Sequence, residues 1–142
     1  MDAIDKKILE LLQINGRMTV KEITQTISLT APAVSERIKR LEKDGVIEGY
    51  TAIVNPRPMG RSVHAIINIS IQPGDTDKLL NLVNNEPMVI ECHHVTGAYS
   101  YMVKVDAAEI TDLEKLIIKF QKMGETSTQI ILSSPISRKP IL

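Results

Sequence analysis

Residues 19–45, TVKEITQTISLTAPAVSERIKRLEKDG, set the architecture of the N-terminal third. Thr19-Val20-Lys21-Glu22 has the form of a capping box, in which the threonine hydroxyl accepts from the helix backbone and Glu22 reaches back. The short helix that follows runs through Ile23 and Ile27, and Leu29 fills the turn after it. Thr30-Ala31-Pro32 opens a longer helix, with a hydroxyl cap and a proline in the first turn, where its missing N–H is harmless. Val34, Ile38 and Leu41 recur at i, i+4 and i+7 as its buried stripe, and Gly45 stops it after Lys43-Asp44.

On the N-terminal side, Asp5 is expected to open another helix carrying Ile8, Leu9, Leu11 and Leu12, with Gly16 closing it. Three short helices joined by tight turns, the last basic on its outer arc, have the outline of a helix-turn-helix. That arc holds Ala33, Glu36, Arg37, Lys39, Arg40 and Lys43. Ala31, Pro32 and Ala33 keep the first turn slim enough to approach base edges, and Thr30 and Ser35 offer hydroxyls. Arg37, Lys39, Arg40 and Lys43 can neutralise phosphates or reach guanine. A charge pattern of this kind is usually just a solvated face. The capped short helix, tight turn and capped longer helix turn the balance toward DNA.

On the C-terminal side, VIEGYTAIV (46–54) is expected to form a short hairpin or strand, the wing of a winged helix-turn-helix. Asn55-Pro56-Arg57-Pro58-Met59-Gly60 cannot be helix interior. The expected division is a DNA-binding domain over 1–55, a linker over 56–61, a second domain over 62–134 and a tail over 135–142. In the second domain Val63, Ala65, Ile67, Ile69 and Ile71 alternate with polar residues as in a half-buried strand. Pro73-Gly74-Asp75 leads into a helix through Leu79, Leu82 and Val83, followed by strand-like MVIECHHV and, after Thr96-Gly97-Ala98, YSYMVKV. A last helix carries Ile110, Leu113, Ile117 and Phe120 and ends at Gly124; STQIILS closes the domain. The order β-α-β-β-α-β is the split ferredoxin-like unit, so the expected class is α+β. Its open sheet face carries Ile66, with Met102 a second candidate, and an apolar open face predicts a homodimer.

Composition narrows the function. The 142 residues carry 17 Lys+Arg against 17 Asp+Glu, so nucleic-acid binding has to come from a local patch. Aromatics at 3%, with no Trp, disfavour base-stacking surfaces for single strands or RNA. One cysteine, Cys92, excludes an internal disulfide and a multi-cysteine zinc site. No apolar run is long enough to cross a bilayer and no secretory h-region is present, so the expected compartment is the cytoplasm with no membrane partner. His93 and His94 are neighbours on a strand and point to opposite faces, and Cys92 with His94 supplies only two ligands, so no metal or other cofactor is expected. No Ser-His-Asp grouping, Gly-rich phosphate loop or paired-carboxylate motif is present, and no enzyme activity is expected.

The spaced pieces ID..IL.LLQ..GR, LT.PAV..R...LE..G.I and GYTA..NP closely resemble the N-terminal domain of Lrp/AsnC (feast/famine) transcription regulators, and VTGAYSYMVKV resembles that family's effector-domain strand-loop-strand. The resemblance runs from about Asp2 to Ser134. It implies a dimer built through the sheet, often four dimers in an octamer, with paired recognition helices on duplex DNA at half-sites spaced by helical turns. It places the helix-turn-helix at about Val20–Lys39, with DNA contacts at Thr30, Ala33, Ser35, Glu36, Arg37, Lys39 and Arg40. Arg17 reads equally as a phosphate contact or an anchor to an acid. In the family, small effectors, usually amino acids, bind between dimers beside a loop that commonly reads Gly-x-x-Asp. Here Gly97-Ala98-Tyr99-Ser100 puts Ser100 where the acid falls, so the candidate effector residues are His94, Gly97, Tyr99 and Ser100; Gly97 also reads as a plain turn glycine. Two alternatives are an architectural DNA-binding protein of low sequence specificity and, remotely, an enzyme similar to the sirohaem decarboxylases, against which the absence of Trp and the basic helix both speak.

Overall fold

A computed structural model describes residues 1–141. It divides into two compact units, Met1–Ile53 with the C-terminal residues from Ile136, and Val54–Pro135.

The first unit holds α1 (Ala3–Ile14), α2 (Val20–Thr26) and α3 (Ala31–Lys43). The caps of α2 and α3 follow from local sequence: Thr19 Oγ1 accepts from the Glu22 N–H while Glu22 accepts from the Thr19 N–H, and Thr30 Oγ1 accepts from the Ala33 N–H. α1 differs from expectation. Its cap is Asp2, and Asp5 is the reciprocal partner of a second capping box, Asp5 N–H to Asp2 Oδ1 at 2.8 Å and Asp2 N–H to Asp5 Oδ2 at 3.0 Å. Nor does Gly16 close it through a left-handed cap; the cap residue is Asn15, with extended backbone. Gly45 does adopt the left-handed conformation, φ +70°, and the Val46 and Ile47 N–H groups donate back to the Leu41 carbonyl. Ile8, Leu9, Ile23, Ile27, Val34 and Leu41 form the core, with Ile38 and Ile47 packed against it.

The segment expected as a hairpin or strand, 46–54, forms no ladder among the described residues. Tyr50 Oη donates to Glu42 Oε1 at 3.0 Å, whereas Ile53 is 75% exposed. A short apolar segment becomes a strand only where another edge receives it, and the first unit offers none among the described residues. Within the segment expected as a linker, 56–61, Arg57–Met59 form a 3-10 turn ended by Gly60 at φ +79°, and Arg61 Nη1 donates to the Pro87 carbonyl at 2.6 Å. The expected tail clusters from Ile136 with the first unit, where the Ile141 N–H donates to Gln13 Oε1 at 2.9 Å.

The second unit runs β1 (Val63–Ile71), α4 (Thr76–Asn85), β2 (Val89–His94), β3 (Tyr101–Ala107), α5 (Ile110–Gln121) and β4 (Gly124–Ile130). The sheet is antiparallel in the order β2-β3-β1-β4. Ala65, Ile67 and Ile69 of β1 face a core shared with Leu79, Val103, Val105, Leu113, Leu116 and Phe120. Gly124 does not end a helix as expected. α5 stops at Gln121, and Gly124 opens β4 opposite Ile71, where a Cβ would run into the Ser70 backbone carbonyl.

The open face was expected to be apolar and is instead mostly polar. His64 with Asp106 (2.7 Å) and Lys104 with Glu91 (3.0 Å) lie in register across neighbouring strands, Asn68 reaches Gln129 of β4 diagonally (2.9 Å), and within β2 His93 meets Glu91 (3.1 Å). Ile66 and Met102 sit half-buried among these pairs. Hydrogen bonding of the charged groups lets the sheet carry them at modest cost.

Candidate nucleic-acid interface

α3 is pinned to the first core by Val34 and Leu41 and offers its opposite side outward. Thr30, Glu36, Lys39 and Lys43 are exposed there, and Ala33 and Ser35 are half-buried. The short side chains at 31–33 leave the N-terminal turn narrow. Lys39 and Lys43 have no ion-pair partner among the described residues, so their ammonium groups are available to an external anion. Arg17 is exposed and has no acidic partner among the described residues, so the anchoring alternative does not form.

The two arginines sit differently. Arg37 Nη1 donates to Asp2 Oδ2 and to Asp5 Oδ1, both at 2.7 Å. Arg40 Nη2 donates to both Asp5 oxygens at 3.0 Å. The start of α1 and the flank of α3 are therefore joined by a cluster of two carboxylates and two guanidiniums. The Asp5 side chain is 2% exposed, whereas Arg37 is 23% and Arg40 and Asp2 are each 53% exposed. Backbone donation from Asp5 and the Arg37 guanidinium hold the Asp2 carboxyl down at about 2. Burial pushes Asp5 up, but the Asp2 N–H, Arg37 and Arg40 together outweigh it and its carboxyl lies below the usual range. Arg37 is raised further by Asp2 and Asp5, so its charge is fixed at any working pH. Sequence reasoning placed both arginines on the outward arc. Of the aspartates that claim them, Asp5 was legible only as a helix-opening residue and Asp2 not at all, although two acids three apart and two arginines three apart are a signal in retrospect.

The four candidate effector residues share one end of the second unit. His94 stacks on Tyr101, ring centroids 4.7 Å apart. Gly97 has φ +114°, which meets its reading as a turn glycine. Ser100 is taken up by the sheet. Its Oγ donates to the Ile69 carbonyl and accepts from the Ile71 N–H, each at 3.3 Å, while the Ser70 hydroxyl holds the Ala98 carbonyl at 3.0 Å. Tyr99 is half-buried. An open groove of about 820 Å³ lies elsewhere, between α4 and β2, lined by residues including Leu80, Asn84, Pro87, Ile90 and Cys92. Burial raises the Cys92 thiol above its ordinary value.

Comparison with known proteins separates the same two regions. Residues 1–48 match the winged helix-turn-helix DNA-binding family, and residues 64–141 match the Lrp/AsnC ligand binding domain. The chain belongs to the Lrp/AsnC family. Among its Lrp/AsnC relatives, the HTH-type transcriptional regulator FL11 of Pyrococcus furiosus is 33% identical over 135 residues, covering 93% of this chain and 89% of that one. The HTH-type transcriptional regulator LrpC of Bacillus subtilis is 30% identical over 133 residues, covering 94% and 92%. The solved structure of LrpC superposes with a TM-score of 0.91 at 29% identity over 97% of this chain and 99% of that one. A transcriptional regulator from Neisseria meningitidis, solved as an L-Met complex, shares the fold with a TM-score of 0.93 at 22% identity, covering 100% and 96%. Among the described residues, no helix of this Lrp/AsnC chain is long and apolar enough to cross a membrane.

Proposed function

We propose that this Lrp/AsnC chain regulates transcription by binding a specific duplex-DNA site through α3, with Thr30, Ala33, Ser35, Glu36 and Lys39 toward the groove, joined by Lys43, which is equally free. The observation that carries this reading is the narrow, capped first turn of α3 followed by unpaired, exposed Lys39 and Lys43. Arg40, half-exposed and holding Asp5 through one nitrogen only, serves as a flanking phosphate contact. Arg37 serves mainly to join α3 to α1. The working assembly is a cytoplasmic homodimer or a tetramer of dimers, in which two α3 helices reach successive major grooves. The second unit takes a small-molecule effector. The match to a ligand binding domain supports this, and so does the amino-acid complex of a protein with the same fold. With Ser100 committed to the Ile69 and Ile71 backbone, effector contacts fall to His94 and Tyr99.

The test is a titration of the full-length protein against its own upstream region and a scrambled duplex, at two salt concentrations. Tight, salt-sensitive binding with preference for the upstream DNA is expected, and Lys39→Ala weakens binding on both duplexes and flattens the salt slope by about one. Equal affinity for the two duplexes would point instead to an architectural DNA-binding protein.

A further inference from the structure

The start of α1 places a solvent-facing carboxylate beside the flank of α3. We propose that Asp2 is a positioning residue that sets DNA specificity: its carboxylate holds Arg37 against α1 and keeps that guanidinium from non-specific phosphates. The inference rests on the reading that α3 meets DNA.

The two acids of the cluster have different tasks. Asp5 is buried and holds both arginines, so it joins the helices. Asp2 caps α1 with one oxygen and gives the other to Arg37 at 2.7 Å, while more than half of its side chain faces solvent. Arg37 therefore has one partner that solvent barely reaches and one in the open. A phosphate oxygen approaching Arg37 from outside must displace Asp2 or bear its repulsion. Arg40 faces no second carboxylate, since its contacts are to Asp5 alone among the described residues. The first 53 residues carry eight Lys+Arg and eight Asp+Glu, so the unit has no surplus of charge to mask a local change. Non-specific affinity is set by how many cations can reach phosphates, whereas specific affinity depends also on groove contacts. Withholding one guanidinium lowers the first more than the second.

Asp2→Asn and Asp2→Ser isolate the charge, because both residues are good N-caps and both are neutral. The full-length wild type and both variants are titrated against the upstream and scrambled duplexes from about 50 to 200 mM salt. For both variants, affinity for the scrambled duplex is expected to rise severalfold at the lowest salt. The slope of log K against log salt should steepen by about one, and the preference for upstream DNA should shrink. A helix cap alone would not change that slope. Wild-type affinity and slope in both folded variants, with Lys39→Ala still weakening binding, would overturn this inference and leave the α3 reading intact. Absence of salt-dependent binding by the wild type would overturn both. Loss of the folded first unit in both variants would reduce Asp2 to a structural role and also overturn the proposal.

Discussion

At the scale of single residues, Asp5 is the position on which the first unit turns. It is a buried carboxylate held by the Asp2 N–H and by two guanidiniums, and it ties α1 to α3. Removing one member of such a cluster strands the others, so Asp5→Asn should cost about 3 kcal/mol at neutral pH. Because its folded pKa lies below the ordinary value, Asp5 stabilises the folded state above the unfolded carboxylate range. That contribution fades as pH falls toward the folded value. Asp2, depressed to about 2, behaves in the same sense between about pH 4 and 2. Denaturant melts of wild type and Asp5→Asn should therefore differ most at neutral pH and converge on acidification. A gap that stays constant down to pH 3 would contradict the role given to the ionised carboxylate.

At the scale of elements, the capping boxes of α1 and α2 and the threonine cap of α3 are set by residues within one turn of each helix start. β4 is different. Its placement depends on Gly124 lying against the Ser70 backbone at the far end of β1, where a side chain has no room and the obstacle is main chain that cannot rotate away. Gly124→Ala should destabilise the second unit by about 2–4 kcal/mol through loss of the β1–β4 register. The same substitution at Gly74, where nothing lies within 4 Å, should be close to neutral. Thermal melts of the two variants make the comparison, and equal effects would show that β4 tolerates a shift away from β1.

At the scale of the whole molecule, assembly is the property that two short α3 helices need to span neighbouring grooves. The open sheet face offers His64–Asp106, Glu91–Lys104 and Asn68–Gln129 pairs around half-buried Ile66 and Met102. Ile66 and Met102 supply a small apolar centre and the polar pairs around them a rim, the division found in protein interfaces. Sedimentation of the full chain at micromolar concentration should give a dimer or larger species. A monomer under those conditions would remove the paired-helix geometry from the DNA-binding reading.

The sequence by itself determined what is local or periodic. The caps at Thr19 and Thr30, the stripe of Val34 and Leu41, the alternation from Ala65 to Ile69 and the β-α-β-β-α-β order all depend on residues within a turn or a strand of one another. They led to the α+β class and to the outward side of α3. Tertiary structure decided whatever depends on partners far apart in the chain. Arg37 and Arg40 look like free cations until folding brings Asp2 and Asp5 to them from more than thirty residues away. Ser100 looks like a displayed hydroxyl until Ile69 and Ile71 absorb it, and Gly124 looks like a helix stop until β1 lies against it. The wing pattern at 46–54 stayed without a ladder because a strand needs a second edge, which its own residues cannot specify. Periodicity records which face a residue turns inward, but only the assembled fold brings together the charges and main-chain groups that meet there.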